Sequence, residues 1–230
     1  MPKPKIELSV VIPCYNEAKR APPFLDQLLL YNNKKWEFIF VDDGSSDGTL
    51  RLIKSYDFFN RIIITYKKNR GKGYAVKKGV KKAKGNFIIF IDADGSIHPS
   101  QIKKMLVYLK KYDFVSGSRA LQESQIIITF FRLFVGKMFN NYVKLLYNVP
   151  IDDNLCGFKG FKKEVAKKLF SDLISKRWIF DVELFYKLKK EKYSMLIIPI
   201  KWSHRGDSKM GILDMLKISI ELILLRIKLR

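Results

Sequence analysis

A chain of 230 residues with 47% hydrophobic content can bury a substantial core, which excludes disorder and points to one domain with additions toward its C-terminus. Its 44 Lys and Arg against 22 Asp and Glu give a formal charge of +22, which calls for an anionic partner: nucleic acid, a phosphorylated substrate or a membrane surface. Cys14 and Cys156 lack zinc or C-x-x-C spacing, predicting reduced, buried thiols, and two histidines are too few for a histidine-built metal site.

Residues 1–5 lead into a strand without an apolar stretch, so no secretory leader is expected. Strand and helix signals then alternate. Strands are predicted at 8–12, 36–41, 61–66, 86–91 and 114–116, and helices at 17–30, 49–56, 73–82 and 100–110. Such a βαβ series implies a mainly parallel sheet covered by helices, the α/β class.

Two of these strands end in acid. Residues 86–91 run into Asp92-Ala93-Asp94-Gly95, and residues 36–41 run into Asp42-Asp43-Gly44-Ser45-Ser46-Asp47-Gly48-Thr49. Ligands of open α/β sheets collect outside the carboxyl ends of strands, and oxygen ligands there suit Mg²⁺ or Mn²⁺ partly bound to water and phosphate. One Asp-x-Asp alone reads as a polar turn ahead of a metal site. Two acidic strand ends in one parallel sheet would concentrate negative charge that a cation or hydrogen-bond donors must offset. Asp47 reads as a helix cap, whereas Asp42 and Asp43 are site candidates.

The second half is less regular. Residues 125–147 carry apolar side chains at helical spacing, and 212–229 have a broad apolar face with Asp214, Lys217, Glu221 and Lys228 as a narrow polar stripe. Both are expected to lie on a membrane surface or to pack as ordinary helices, the second also in an oligomer contact. No charge-free window approaches the ~18 residues of a membrane span. Residues 1–211 are therefore read as the main domain, including an interfacial helix at 125–147, with 212–230 as a C-terminal amphipathic helix.

A succession of motifs then resembles a known family. Val10-Val11-Ile12-Pro13-Cys14-Tyr15-Asn16-Glu17, Val41 through Thr49, Asn69-Arg70-Gly71-Lys72-Gly73 and Asp92-Ala93-Asp94-Gly95 have the order and spacing of family 2 glycosyltransferases of the GT-A, Rossmann-like fold. Gly117-Ser118-Arg119, Cys156-Gly157-Phe158-Lys159, 177–184 and 202–210 further resemble the dolichyl-phosphate glucosyltransferase and mannose synthase branch, more closely the former. Ser96 stands where mannose synthases have glutamine.

The resemblance implies that Pro13, Tyr15, Glu17, Asp42, Asp43, Lys72 and Asp92 bind the nucleotide sugar, with the base against Tyr15. It implies Asp92 and Asp94 as holders of Mg²⁺ or Mn²⁺, Asp94 as a catalytic residue, and Arg119, Arg205 and Lys209 as binders of the acceptor phosphate, the two arginines also catalytic. Asp181 is a further catalytic candidate, with a salt-bridged helix start as its alternative. The implied reaction moves a hexose, first choice glucose, from a UDP-sugar to a polyprenyl phosphate at the cytoplasmic face of a membrane. UDP-N-acetylglucosamine or GDP-mannose as donor is the alternative. A homo-oligomer is admitted, and a basic nucleic-acid-binding protein or a catalytically silent membrane adaptor are the distant alternatives. Acidic strand ends repel nucleic acid, and no nucleic-acid motif is present, so nucleic acid is not an expected partner.

Overall fold

Buried strands with helices on both faces read as continuous apolar runs, and β1 (Leu8–Cys14), β2 (Trp36–Asp42) and β4 (Phe87–Ile91) are of this kind. The computed structural model describes residues 5–121, 125–127, 130–149, 153, 155–203 and 212–229. With β3 (Arg61–Thr65), β5 (Phe114–Ser118), β7 (Phe158–Lys162) and β8 (Met195–Pro199), these strands form a seven-stranded sheet in the order β3-β2-β1-β4-β7-β5-β8. Only β7 runs antiparallel to its neighbours β4 and β5. β6 (Gln125–Ile127) pairs in parallel with β9 (Lys201–Ser203) in a separate ribbon.

The chain steps outward from β1 to β2 to β3 and then returns to the other side of β1 with β4. The β1–β4 junction is thus a topological switch point, with a crevice outside its carboxyl end.

Alternate strand residues feed two cores. Phe38, Phe40, Ile89 and Ile91 face α1 (Pro22–Leu29), α2 (Thr49–Ser55) and α4 (Gln101–Leu109). Ile39, Val41, Ile88 and Phe90 face α3 (Lys72–Lys82), α6 (Lys163–Ser171) and α7 (Phe180–Lys190). α5 (Phe130–Tyr147) and α8 (Ile212–Lys228) join this second core through Val143, Tyr147, Ile218, Leu222 and Leu225. The Tyr147 hydroxyl donates to the Leu222 carbonyl at 2.6 Å and Arg226 Nε to the Leu146 carbonyl at 3.0 Å, so α5 and α8 are locked together.

Two expectations change. The helix read over 17–30 begins at Pro22, because Pro22 and Pro23 lack the N–H a helix interior needs; residues 18–20 form a turn instead. The helix read over 125–147 begins at Phe130, after the separate strand β6. Ile126, Ile127, Ile128 and Thr129 are all β-branched, a run that favours extended backbone. Among the described residues no helix is long and apolar enough to cross a membrane.

Candidate active site

The carboxyl ends of β1 and β2 are tied before any ligand arrives. The Asp43 N–H donates to the Cys14 carbonyl at 2.8 Å. Asn16, in the left-handed region at φ 50°, donates its N–H to Ser45 Oγ and accepts from the Ser46 N–H on Oδ1, at 3.0 and 2.9 Å. Asp47 accepts from the Ala18 and Thr49 N–H groups at 3.0 and 3.1 Å, joining the two loops just ahead of α2; the N-cap position expected for Asp47 is taken by Gly48, whose φ of 90° suits glycine. These bonds hold Tyr15, 39% exposed, beside half-buried Pro13 at the mouth of the crevice.

Glu17 is buried with its carboxylate on the Arg20 guanidinium, at 2.9 and 2.5 Å. Asp42 accepts from the Ser45 N–H at 3.2 Å and from Thr65 Oγ1 at 3.1 Å. Asp43 is occupied differently: it takes the Arg70 N–H at 2.8 Å and both the Asn69 side chain and the Gly71 N–H at 2.9 Å. Its carboxylate therefore builds the loop that presents Lys72. Gly71 in that loop has φ 98°, and a Cβ there would stand 2.6 Å from the Lys176 carbonyl, so backbone conformation and space both require glycine.

Lys72 Nζ lies 2.7 Å from Asp92 Oδ1 and 2.9 Å from Oδ2. Burial opposes its charge, but the field of Asp92, Asp181 and Asp94 outweighs that and raises its pKa. Asp94 accepts from the Ser96 N–H at 2.9 Å, and both Asp92 and Asp94 are half-buried. Among the described residues no group of three or more His, Cys, Asp or Glu assembles to hold a metal by itself. Two carboxylates at a crevice mouth fit a hard cation that draws its remaining oxygens from a diphosphate and water.

Arg119 follows β5 and is held by Asp153. Nε and Nη2 donate to the two carboxylate oxygens at 2.8 and 2.7 Å, the Arg119 N–H adds a third bond at 2.8 Å, and the guanidinium lies over the Trp202 ring. Burial would raise the Asp153 pKa, but these bonds hold it below its ordinary value; Arg119 is correspondingly raised against burial, mainly by Asp153. Among the described residues Nη1 and one Nη2 hydrogen meet no hydrogen-bond acceptor, which leaves them for an anion.

Asp181 is buried in the first turn of α7 and forms an ion pair with Lys159 at 2.8 Å. Lys159, fully buried on β7, also donates to the Cys156 carbonyl at 2.5 Å and lies over the Phe90 and Phe185 rings. Burial pushes the Asp181 pKa up, against the opposing pull of Lys159 and Lys72. Arg205 and Lys209 lie outside the described residues; β9 ends at Ser203, whose N–H donates to the Ser96 carbonyl at 3.0 Å.

Lys72 thus lies in the field of Asp92, Asp94 and Asp181, and Asp92 also acts on Arg119 and Asp181, with Asp42 and Tyr15 at the ends of β2 and β1. Residues 9–170 match the family model for glycosyl transferase family 2.

The chain belongs to glycosyltransferase family 2. Among relatives of this transferase, the dolichyl-phosphate beta-glucosyltransferase of Drosophila melanogaster is 36% identical over 228 residues, covering 90% of this chain and 70% of that protein. The human protein of the same name is 35% identical with the same coverage, and ALG5C of Trichomonas vaginalis, also so named, is 34% identical over 98% of this chain and 72% of its own. Glucosyl-3-phosphoglycerate synthase of Mycobacterium tuberculosis, solved with Mn²⁺, UDP and phosphoglyceric acid, superposes with a TM-score of 0.72 at 18% identity, covering 96% of this chain and 78% of that one. The same enzyme solved with Mg²⁺ and UDP gives 0.68. These likenesses establish the GT-A fold of the family 2 transferase.

Sequence reasoning assigned no role to Asp153, Lys159 or Gly157. The signal for Asp153 was the acid pair Asp152-Asp153 just ahead of Cys156-Gly157. Lys159 stands in the motif Cys156-Gly157-Phe158-Lys159, but its partner Asp181 is remote in sequence, so the pair itself left no local signal. Cys14 and Cys156 are both buried thiols outside any disulfide, and burial pushes the Cys156 pKa up to about 12.

Proposed function

We propose that this glycosyltransferase moves glucose from UDP-glucose to a polyprenyl phosphate of the dolichyl type. The observation that supports the reading most strongly is identity of 34–36% with proteins named dolichyl-phosphate beta-glucosyltransferase, running along 90–98% of the chain. The geometry of the crevice agrees with it.

UDP lies across the ends of β1 and β2, its base against Tyr15. Asp42 has lone pairs beyond those used by Ser45 and Thr65, and one accepts from the uracil imide. Asp43 acts through the loop it holds, placing Lys72 at the diphosphate. Asp92 and Asp94 would hold Mg²⁺ or Mn²⁺, which supplies positive charge for the diphosphate as it departs.

The acceptor needs no strong base. A phosphate monoester has its second pKa near ~6 and is already a dianion at neutral pH. One of its oxygens attacks the anomeric carbon, the bond from that carbon to the UDP oxygen breaks, and UDP leaves with the electron pair. Two anions must therefore be brought together, and Arg119, fixed from behind by Asp153, turns its remaining donors to the acceptor phosphate. Arg205 and Lys209 add charge to the same task. Asp181, committed to Lys159, positions rather than deprotonates. A lipid acceptor places the enzyme peripherally at a membrane, on the cytoplasmic side where nucleotide sugars are available.

UDP or GDP release tests the reading. With divalent metal and dolichyl phosphate, UDP-glucose turns over fastest, UDP-N-acetylglucosamine and GDP-mannose at least about tenfold more slowly, and the lipid alcohol dolichol does not replace its phosphate. Equal use of dolichol or of GDP-mannose would overturn the assignment.

A further inference from the structure

α8 is apolar on two opposite sides. Ile218, Leu222, Leu225 and Leu229 are 0–9% exposed and enter the core. Ile220, Ile223, Leu224 and Ile227 are 61%, 47%, 53% and 63% exposed. At 3.6 residues per turn the two stripes stand roughly 180° apart. Ser219 and Arg226 separate them on one flank, Glu221 and Lys228 on the other. The inner stripe accounts for the helix's place in the fold, and the outer one presents four contiguous large aliphatic side chains to the surroundings, which a water-facing helix surface does not require.

We propose that this outer stripe docks α8 in the plane of an anionic lipid surface. Charge selects that occupant over a second copy of the chain. Two molecules each carrying +22 repel one another, whereas a negative bilayer attracts them. The attraction is also local. Arg226 and Lys228 stand on the two flanks of the outer stripe near its C-terminal end, and Lys190 lies with Arg226 against the Tyr186 ring. An apolar face beside basic side chains is the pattern by which helices lie at the headgroup boundary. The inference deepens the lipid-acceptor reading: it supplies the element that brings the crevice to its membrane-bound substrate.

The test is co-sedimentation with vesicles of phosphatidylcholine, with and without phosphatidylserine, comparing wild type with Ile220→Ser/Ile223→Ser/Leu224→Ser/Ile227→Ser. All four positions are exposed, so the variant is expected to melt like wild type; the single variant Ile227→Glu serves if it does not. The wild type binds phosphatidylserine vesicles and the variant binds at least about tenfold more weakly. Turnover of long-chain polyprenyl phosphate in vesicles falls with binding, while turnover of a short, water-soluble prenyl phosphate is unchanged. Undiminished vesicle binding by the variant would overturn the proposal. So would light scattering showing a wild-type dimer that the substitutions split into monomers. If the wild type fails to turn over the soluble acceptor, the proposed activity is wrong, and the vesicle result still decides the role of α8.

Discussion

Asp92 is fixed from three directions. Its N–H donates to the Gly157 carbonyl at 3.2 Å, Lys72 holds both carboxylate oxygens, and Gly157 leaves the space the carboxylate fills. A Cβ at Gly157 would stand 1.8 Å from Asp92 Oδ2, so Gly157→Ala must rotate the carboxylate out of place. Because a side-chain end moves rather than backbone, urea unfolding should change by less than about 1 kcal/mol, while turnover falls roughly a hundredfold, as an ångström-scale displacement of a catalytic group allows. Unchanged turnover would show that the position of Asp92 is immaterial. The Lys159–Asp181 pair makes the opposite case, where fold is at stake. Lys159→Met leaves a buried carboxylate unpaired and should cost about 3–5 kcal/mol in urea unfolding, whereas Lys159→Met/Asp181→Leu should recover most of that loss. A double variant no more stable than the single one would refute the pairing.

Elements meet at the site through loops that carboxylates organise. In α7, Glu183 is fully buried and accepts the Ile174 and Ser175 N–H groups at 2.8–3.2 Å, holding the loop whose Lys176 carbonyl receives the Tyr74 N–H of α3. Glu183→Ala should destabilise by roughly 2–4 kcal/mol and, by loosening the start of α3 beside Lys72, raise KM for the donor; an unaltered KM would confine Glu183 to stability. Asp153 ties the end of β5 to the loop before β7. Despite burial, its bonds to Arg119 hold its pKa below the ordinary 3.8, as Lys162 and Ser194 hold Asp113. Because the folded values lie below the unfolded ones, this stabilisation is complete above about pH 5 and drains away as pH falls below 4. Asp181, raised by burial, works in the other direction. Thermal melts should therefore decline below pH 4 in wild type and less steeply in Asp153→Asn, which has already lost the contribution; parallel declines would contradict this. The β1–β4 half was legible in sequence because strands covered on both faces are continuous apolar runs closed by Gly and Asp. β7 was not read as a strand, since Phe158-Lys159-Gly160-Phe161-Lys162 places two lysines in five residues, one of them buried against a partner on a distant helix. The β-branched residues 126–129 were read through helical spacing alone, which hid β6.

On the scale of the molecule, strand order decides where chemistry happens. Reversal of the strand order at the parallel pair β1 and β4 opens the crevice, and β2 and β4 both deliver carboxylates to it, so the two acidic strand ends seen in sequence converge on one edge. The acceptor side was less legible: Arg119 is identifiable only from its motif, and Asp153, which orients it, lies 34 residues away. The charge of +22 calls for anions, and the proposed reaction brings three together: a diphosphate, a lipid phosphate and a bilayer surface. The most direct test is mass spectrometry of lipids after incubating the protein with UDP-glucose, polyprenyl phosphate and Mg²⁺ or Mn²⁺, with Asp94→Asn alongside. The account predicts a polyprenyl phosphate heavier by one hexose with wild type and none with the variant. An unmodified lipid phosphate from active, UDP-binding wild type would contradict it, as would an equal yield from Asp94→Asn.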